Sequence, residues 1–127
     1  MKRLVFYKCK VCGNVVIKLV DKKVPLMCCG KIMEELNPLA NDGATEKHIP
    51  VVKVDGQNVN VQVGEVFHPM TEEHYISHII ALTNKGFYVR QLSPQDQPIA
   101  DFVLAKDEIL IEVYSYCNLH GLRVKTI

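Results

Sequence analysis

The chain has 127 residues, 48% hydrophobic and 23% charged, with a formal net charge of +1. That length suits one domain or two small ones with a modest core. The near-neutral balance offers no basic surface to nucleic acid or to an acidic membrane, and no apolar run approaches the ~20 residues that span a bilayer.

Met1 to Lys8 is basic but too short in its apolar part for a secretory leader, so a cytoplasmic location is the expectation. In a reducing cytosol the five cysteines read as metal ligands or reactive thiols before disulfides.

Residues 1–36 read as a module of their own. Leu4-Val5-Phe6-Tyr7 predicts a short strand and Val15 to Val20 a second, with a polar turn at Asp21-Lys22-Lys23. Cys9-Lys10-Val11-Cys12-Gly13 lies between them, and Cys28-Cys29-Gly30 follows. Two cysteines with two residues between them, then glycine, form a tight turn that aims both sulfurs at one point. With Cys28 and Cys29 this reads as a tetrahedral sulfur site. Adjacent α-carbons are ~3.8 Å apart, and in an extended chain their side chains face opposite ways. Cys28 and Cys29 therefore reach one ion only if the backbone twists. Spacing alone favours zinc over iron. A structural knuckle with one of the pair merely buried fits the same residues. The module is too small for a core, so metal is expected to hold its fold.

Residues 37–47 lose apolar periodicity and read as a linker or long loop. From His48 onward short strands recur. Ile49 to Val54 and Val59 to Val63 flank Asp55-Gly56, a hairpin signal. His74 to Thr83 predicts a longer strand, turned at Asn84-Lys85-Gly86 and paired with Phe87 to Leu92. Ile99 to Leu104, Ile109 to Cys117 and Leu122 to Ile127 complete about seven strands, the pattern of an antiparallel, immunoglobulin-like sandwich over residues 48–127. β-Branched residues and frequent turn signals exclude a helical reading.

The second constellation is Cys117 with His120, plus His48, His68 and His74, all at expected strand ends or in loops. Thiolate and imidazole suit iron, zinc or copper, not magnesium or calcium. Taken singly, each histidine reads as a scattered surface or core residue. Taken together, beside Cys117 and His120 at three-residue spacing, they read as a metal site. His78, four residues after His74, reads as a packed or surface histidine on the same strand face.

The segments "YKCKVCGNVV", "CCG", "EKHIPV", "VGEVFHPMTEEHYI" and "YCNLHG" resemble desulfoferrodoxin, the two-iron class of superoxide reductase, over nearly the whole chain. The resemblance implies a desulforedoxin-like module followed by a neelaredoxin-like catalytic domain. It implies an Fe(SCys)4 centre at Cys9, Cys12, Cys28 and Cys29, which replaces the spacing-based preference for zinc. It also implies a second iron with four equatorial histidines (His48, His68, His74, His120) and axial Cys117. Glu46 and Lys47 match the charged pair beside the open coordination position: Lys47 to attract superoxide, Glu46 to fill that position on oxidised iron. Backbone amides from Asn118 to His120 would tune the Cys117 sulfur. Superoxide as substrate, a rubredoxin-like electron donor and a homodimer are implied by the same resemblance. A dismutase, or an electron-transfer or metal-binding module without turnover, are the alternatives. Many members carry Trp near the residue after "HYI"; this chain has Ser77-His78 and no Trp, which removes no ligand.

Overall fold

The computed structural model describes residues 4–40 and 48–127. The chain divides into two compact units, the first ending at Asn37 and the second beginning at Pro38. Every regular element among the described residues is a β-strand, and no helix there is long and apolar enough to cross a membrane.

In the first unit β1 (Phe6–Lys8) lies between β2 (Val15–Ile17) and β5 (Glu34–Leu36), antiparallel to both. β3 (Met27–Cys28) and β4 (Lys31–Ile32) form a separate two-stranded hairpin. The predicted second strand stops at Ile17 instead of Val20. From Lys18 a turn centred on Asp21 takes over: Lys18 Nζ donates to Asp21 Oδ1 at 3.0 Å and to the Val24 carbonyl at 2.9 Å. Leu19 and Val20, which lengthen the apolar run in the sequence, are exposed. β3, β4 and β5 have two or three residues each, mostly exposed, so no period-2 pattern announces them. The buried apolar side chains of this unit, among the described residues, are Phe6, Cys9 and Met33.

The second unit carries seven strands among the described residues, in two antiparallel sheets. β6 (Pro50–Asp55), β7 (Asn58–Val63) and β10 (Ile99–Val103) form one sheet in the order β10-β7-β6. β8 (Ile76–Thr83), β9 (Gly86–Gln91), β11 (Leu110–Cys117) and β12 (Gly121–Thr126) form the other, in the order β12-β11-β8-β9. β6 and β7 join through Gly56-Gln57, where the φ of +59° at Gly56 suits a primed hairpin turn. In β7 and β10, Val59, Val61, Val63, Ala100 and Phe102 alternate with outward residues. They share one core cluster with Ile76, Ile79 and Ala81 of β8 and with Val113 and Cys117 of β11. Leu39, within the segment that reads as linker, bridges Arg123 in parallel: its N–H donates to Leu122 O at 3.1 Å and its carbonyl accepts from Val124 N at 2.9 Å.

Two local departures matter for the site. The strand expected from His74 begins at Ile76, because Thr71 and His74 exchange backbone hydrogen bonds of 2.9 and 3.2 Å that curl the chain. His74 and His78 therefore do not share a strand. Across β8 and β11, Tyr116 pairs with His78 but Cys117 pairs with Ile76, which leaves Ser77 as the extra residue of a β-bulge. Bulges bend a strand and re-aim its side chains. This one lies opposite Cys117, at the Ser77-His78 position where the chain lacks a tryptophan. His78 itself is half-buried, with Nδ1 2.8 Å from Ser77 Oγ.

Candidate metal centres

In the first unit the Cys9, Cys12, Cys28 and Cys29 sulfurs lie within 4.8 Å of one another. Gly13, with φ +87°, turns the chain after Cys12. Cys29 has φ +52° and Gly30 φ +73°. The left-handed residue in the middle of Cys28-Cys29-Gly30 is the twist that turns two adjacent side chains toward one point. Cys12 Sγ and Cys28 Sγ are 3.6 Å apart, close to the ~3.8 Å that separates two sulfurs at ~2.3 Å from one tetrahedral ion.

Backbone and side-chain N–H groups point at this cluster. The Cys12 amide donates to Cys9 Sγ at 3.5 Å, and Asn14 Nδ2 to Cys28 Sγ at 3.6 Å. The Cys12 amide is the main reason the Cys9 thiol is held down to about 6. Crowding acts the other way on its neighbours: Cys12 and the other sulfurs push Cys29 up to about 12, and Cys9 leads the effects that raise Cys28. Four sulfurs this close cannot all be thiolates without a cation among them, and a bound metal supplies that charge while releasing the protons.

The second cluster is built from connections of the sandwich. His48 directly precedes Ile49 and β6, and Ser115 Oγ of β11 donates to its carbonyl at 2.7 Å. His68 follows β7, where its N–H donates to Val63 O at 3.1 Å. His68 Nδ1 is 2.8 Å from the Pro69 carbonyl. A carbonyl only accepts, so Nδ1 carries the proton and Nε2 keeps its lone pair, the tautomer a metal ligand needs. His74 sits in the loop before β8, as described. Cys117 ends β11 and pairs with Gly121 of β12, whose φ of +78° closes a three-residue turn. That turn folds His120 back so that its Nδ1 is 3.9 Å from Cys117 Sγ. Arg123 Nη1 donates to the His120 carbonyl at 2.8 Å.

The four imidazoles form a closed quadrilateral. Ring centroids are 4.5 Å apart for His48–His68, 4.8 Å for His68–His74, and 5.0 Å each for His74–His120 and His120–His48. The His48–His74 diagonal is 6.3 Å, as in a slightly compressed square. His48 Nε2 and His120 Nδ1 are 3.1 Å apart, against the ~3.0 Å expected of two nitrogens on adjacent positions of one ion at ~2.1 Å. Ligand atoms of His48, His74, Cys117 and His120 lie within 4.8 Å of one another. His68 stands outside that tighter group, but its ring fills the corner between His48 and His74. Cys117 and His68 are 1% and 2% exposed, whereas His120 is exposed. Imidazole and thiolate in this number suit iron.

Glu46 and Lys47 lie outside the described residues. The Asn118 N–H, expected among the amides that tune the sulfur, donates instead to Tyr75 O at 3.2 Å. Sequence reasoning also missed the Asn118 side chain, Ser115, Thr71 and Arg123, which touch the loops and not the ligand atoms. An asparagine inside a tight turn is a common turn residue, so its type alone gave no signal.

A protein-family model described as desulfoferrodoxin matches residues 40–125. The chain is 44% identical to a desulfoferrodoxin of Syntrophotalea carbinolica over 121 residues, 95% of this chain and 94% of that one. It is 40% identical to a desulfoferrodoxin homolog of Archaeoglobus fulgidus, with 91% of each chain covered. Among solved structures it is similar to the superoxide reductase from Treponema pallidum, with TM-score 0.85, 33% identity and 98% of each chain covered. The 1Fe-superoxide reductase from Giardia intestinalis matches 65% of this chain and 98% of its own, with TM-score 0.56 and 31% identity. The four-cysteine donor set and the set of four histidines with one cysteine match the two iron centres of desulfoferrodoxin.

Proposed function

The chain belongs to the desulfoferrodoxin family, and from that premise we propose that it is a superoxide reductase acting at the histidine–cysteine centre. The observation that supports this most is the square of imidazoles set around a buried thiol. Cys9, Cys12, Cys28 and Cys29 would hold the first iron; His48, His68, His74, His120 and Cys117 would hold the second. Iron bound there would supply the single electron that superoxide takes up.

The chain's own groups do the rest. Cys117, as a thiolate, donates electron density from the core side. The histidines, three of them anchored through backbone carbonyls or amides of the sandwich, fix the plane to which the anion comes. Lys47 attracts superoxide and stabilises the negative charge that grows on it. Glu46 is the carboxylate that would fill the remaining ligand place on oxidised iron. Each superoxide takes up one electron and two protons to give hydrogen peroxide, so a reductant must dock. A rubredoxin-like protein is the proposed donor, and a cytoplasmic homodimer the proposed form.

The deciding experiment supplies superoxide to the iron-loaded protein with a defined reductant and follows peroxide, oxygen and reductant together. One peroxide per superoxide, with matching oxidation of the donor and no oxygen, is the expected result. Oxygen evolved without any donor would make it a dismutase. Iron redox cycling without superoxide consumption would make it an electron carrier.

A further inference from the structure

Asn118 follows Cys117 directly, yet its side chain serves a different ligand. Its Oδ1 accepts from the Tyr75 N–H at 2.9 Å, and its Nδ2 donates to the Glu73 carbonyl at 3.0 Å. Its own backbone N–H donates to Tyr75 O at 3.2 Å. Glu73 and Tyr75 are the residues on either side of His74. The carboxamide has only one orientation that fits, because a backbone N–H only donates and a carbonyl only accepts.

We propose that Asn118 is the positioning residue of the histidine–cysteine centre: its carboxamide fixes the His74 ring relative to the Cys117 sulfur. This rests on reading that centre as the iron site. The other three imidazoles are anchored from the strands that flank them: His48 through Ser115, His68 through Val63, and His120 inside the β11–β12 hairpin. The Thr71 bonds to His74 span three residues and shape the loop without docking it. The Asn118 side-chain bonds span 43 and 45 residues and tie that loop to the end of β11. A planar amide, with one donor and one acceptor, braces both neighbours of His74 at once. A carboxylate at the same place keeps the acceptor and loses the donor.

The test titrates the full-length apo protein with cobalt(II), whose visible bands report thiolate and imidazole ligation. The four-cysteine set serves as an internal reference. Asn118→Ala is expected to weaken cobalt binding at the histidine–cysteine set by about 10–100-fold, the usual effect of losing a group that orients a metal ligand. It should also shift that set's thiolate-to-cobalt band and leave the four-cysteine set unchanged. Asn118→Asp, which keeps the Tyr75 bond, should fall between alanine and wild type. A purely structural role would lower the unfolding midpoint but leave affinity and band position as in wild type; that result overturns the proposal, as does equal weakening at both sets. If Asn118→Ala fails to fold, Asn118→Asp decides: wild-type affinity and spectrum overturn the proposal, and selective weakening supports it. Failure of the wild type to bind cobalt at the histidine–cysteine set overturns the iron-site reading and the positioning role with it.

Discussion

Cys12→Ser should unfold the first unit and leave the second intact. Among the described residues, only Phe6, Cys9 and Met33 are buried apolar residues in the first unit, against eighteen in the second. Burying one large side chain contributes about 1.5–3 kcal/mol, so Phe6 and Met33 together supply about 3–6 kcal/mol. Structural metal binding in small cysteine-rich modules contributes about 10–16 kcal/mol at neutral pH, so the metal term is the larger by a factor of about two or more. Cys12 Sγ lies 3.6 Å from Cys28 Sγ within the donor set, and serine replaces a soft thiolate by a hard oxygen. The assay is a two-dimensional amide NMR spectrum of the full-length variant, read beside its metal content. Signals of Tyr7, Val16 and Glu35 in the β2-β1-β5 sheet should collapse to random-coil positions, while those of β7, β8 and β11 stay dispersed. Dispersed first-unit signals without metal would show that the small core suffices. Loss of both metals would refute the independence of the two sites.

Cys117→Ser should bleach the ferric thiolate band and slow superoxide reduction, since oxygen donates less electron density than sulfur; optical spectra of the oxidised protein decide it, and a retained band would remove Cys117 from the iron. Lys47→Ile should leave both iron spectra intact and lower the bimolecular rate with superoxide by about 1–2 orders of magnitude. Pulse radiolysis at several salt concentrations should show a weaker salt dependence than wild type, and an unchanged rate and slope would assign the attraction to the iron's charge alone. Glu108 accepts from Thr83 Oγ1, Tyr88 OH and the Ala105 amide, with Thr83 the largest contributor to its lowered pKa. A depressed carboxyl adds stability above its unfolded value of about 4.3 and loses it as pH falls through the folded value. Glu108→Gln should therefore lower the unfolding midpoint at pH 7, with the gap to wild type closing in acid; a gap constant with pH would refute the assignment.

The sandwich was legible because its strands carry their pattern in their own residues. Val59, Val61 and Val63 alternate with Asn58, Asn60 and Gln62, and the pleat then decides which face is buried. The first unit was legible only in its cysteines. β3 and β4 exist because Cys29 and Gly30 turn left-handed between them, and two-residue strands cannot show a period. Ligand types could be read from the sequence because few other side chains bind iron. The parts that orient them could not, because Ser115, Asn118 and Thr71 act through backbone atoms of residues that are distant in sequence or hidden in a loop. The bulge at Ser77 was equally silent: nothing in Ile76-Ser77-His78 marks an extra residue until β11 is laid beside it.

The donors differ in burial: Cys117, His48 and His68 are buried, His74 is half-buried and His120 is exposed. Cys117 belongs to the same apolar cluster as Ile76, Ile79 and Val113, while His120 faces solvent from the next turn. A charged sulfur among such neighbours is costly unless a cation stands against it, so the thiolate and the metal stabilise each other. Cys117 is 1% exposed, so a metal bound to its sulfur would meet little competition from solvent hydrogen bonds. The donor set reaches solvent at His120, with His74 half-buried beside it. The Ser77 bulge, near the start of β8, lies opposite Cys117, the last residue of β11, and so breaks the regular pleat beside the sulfur.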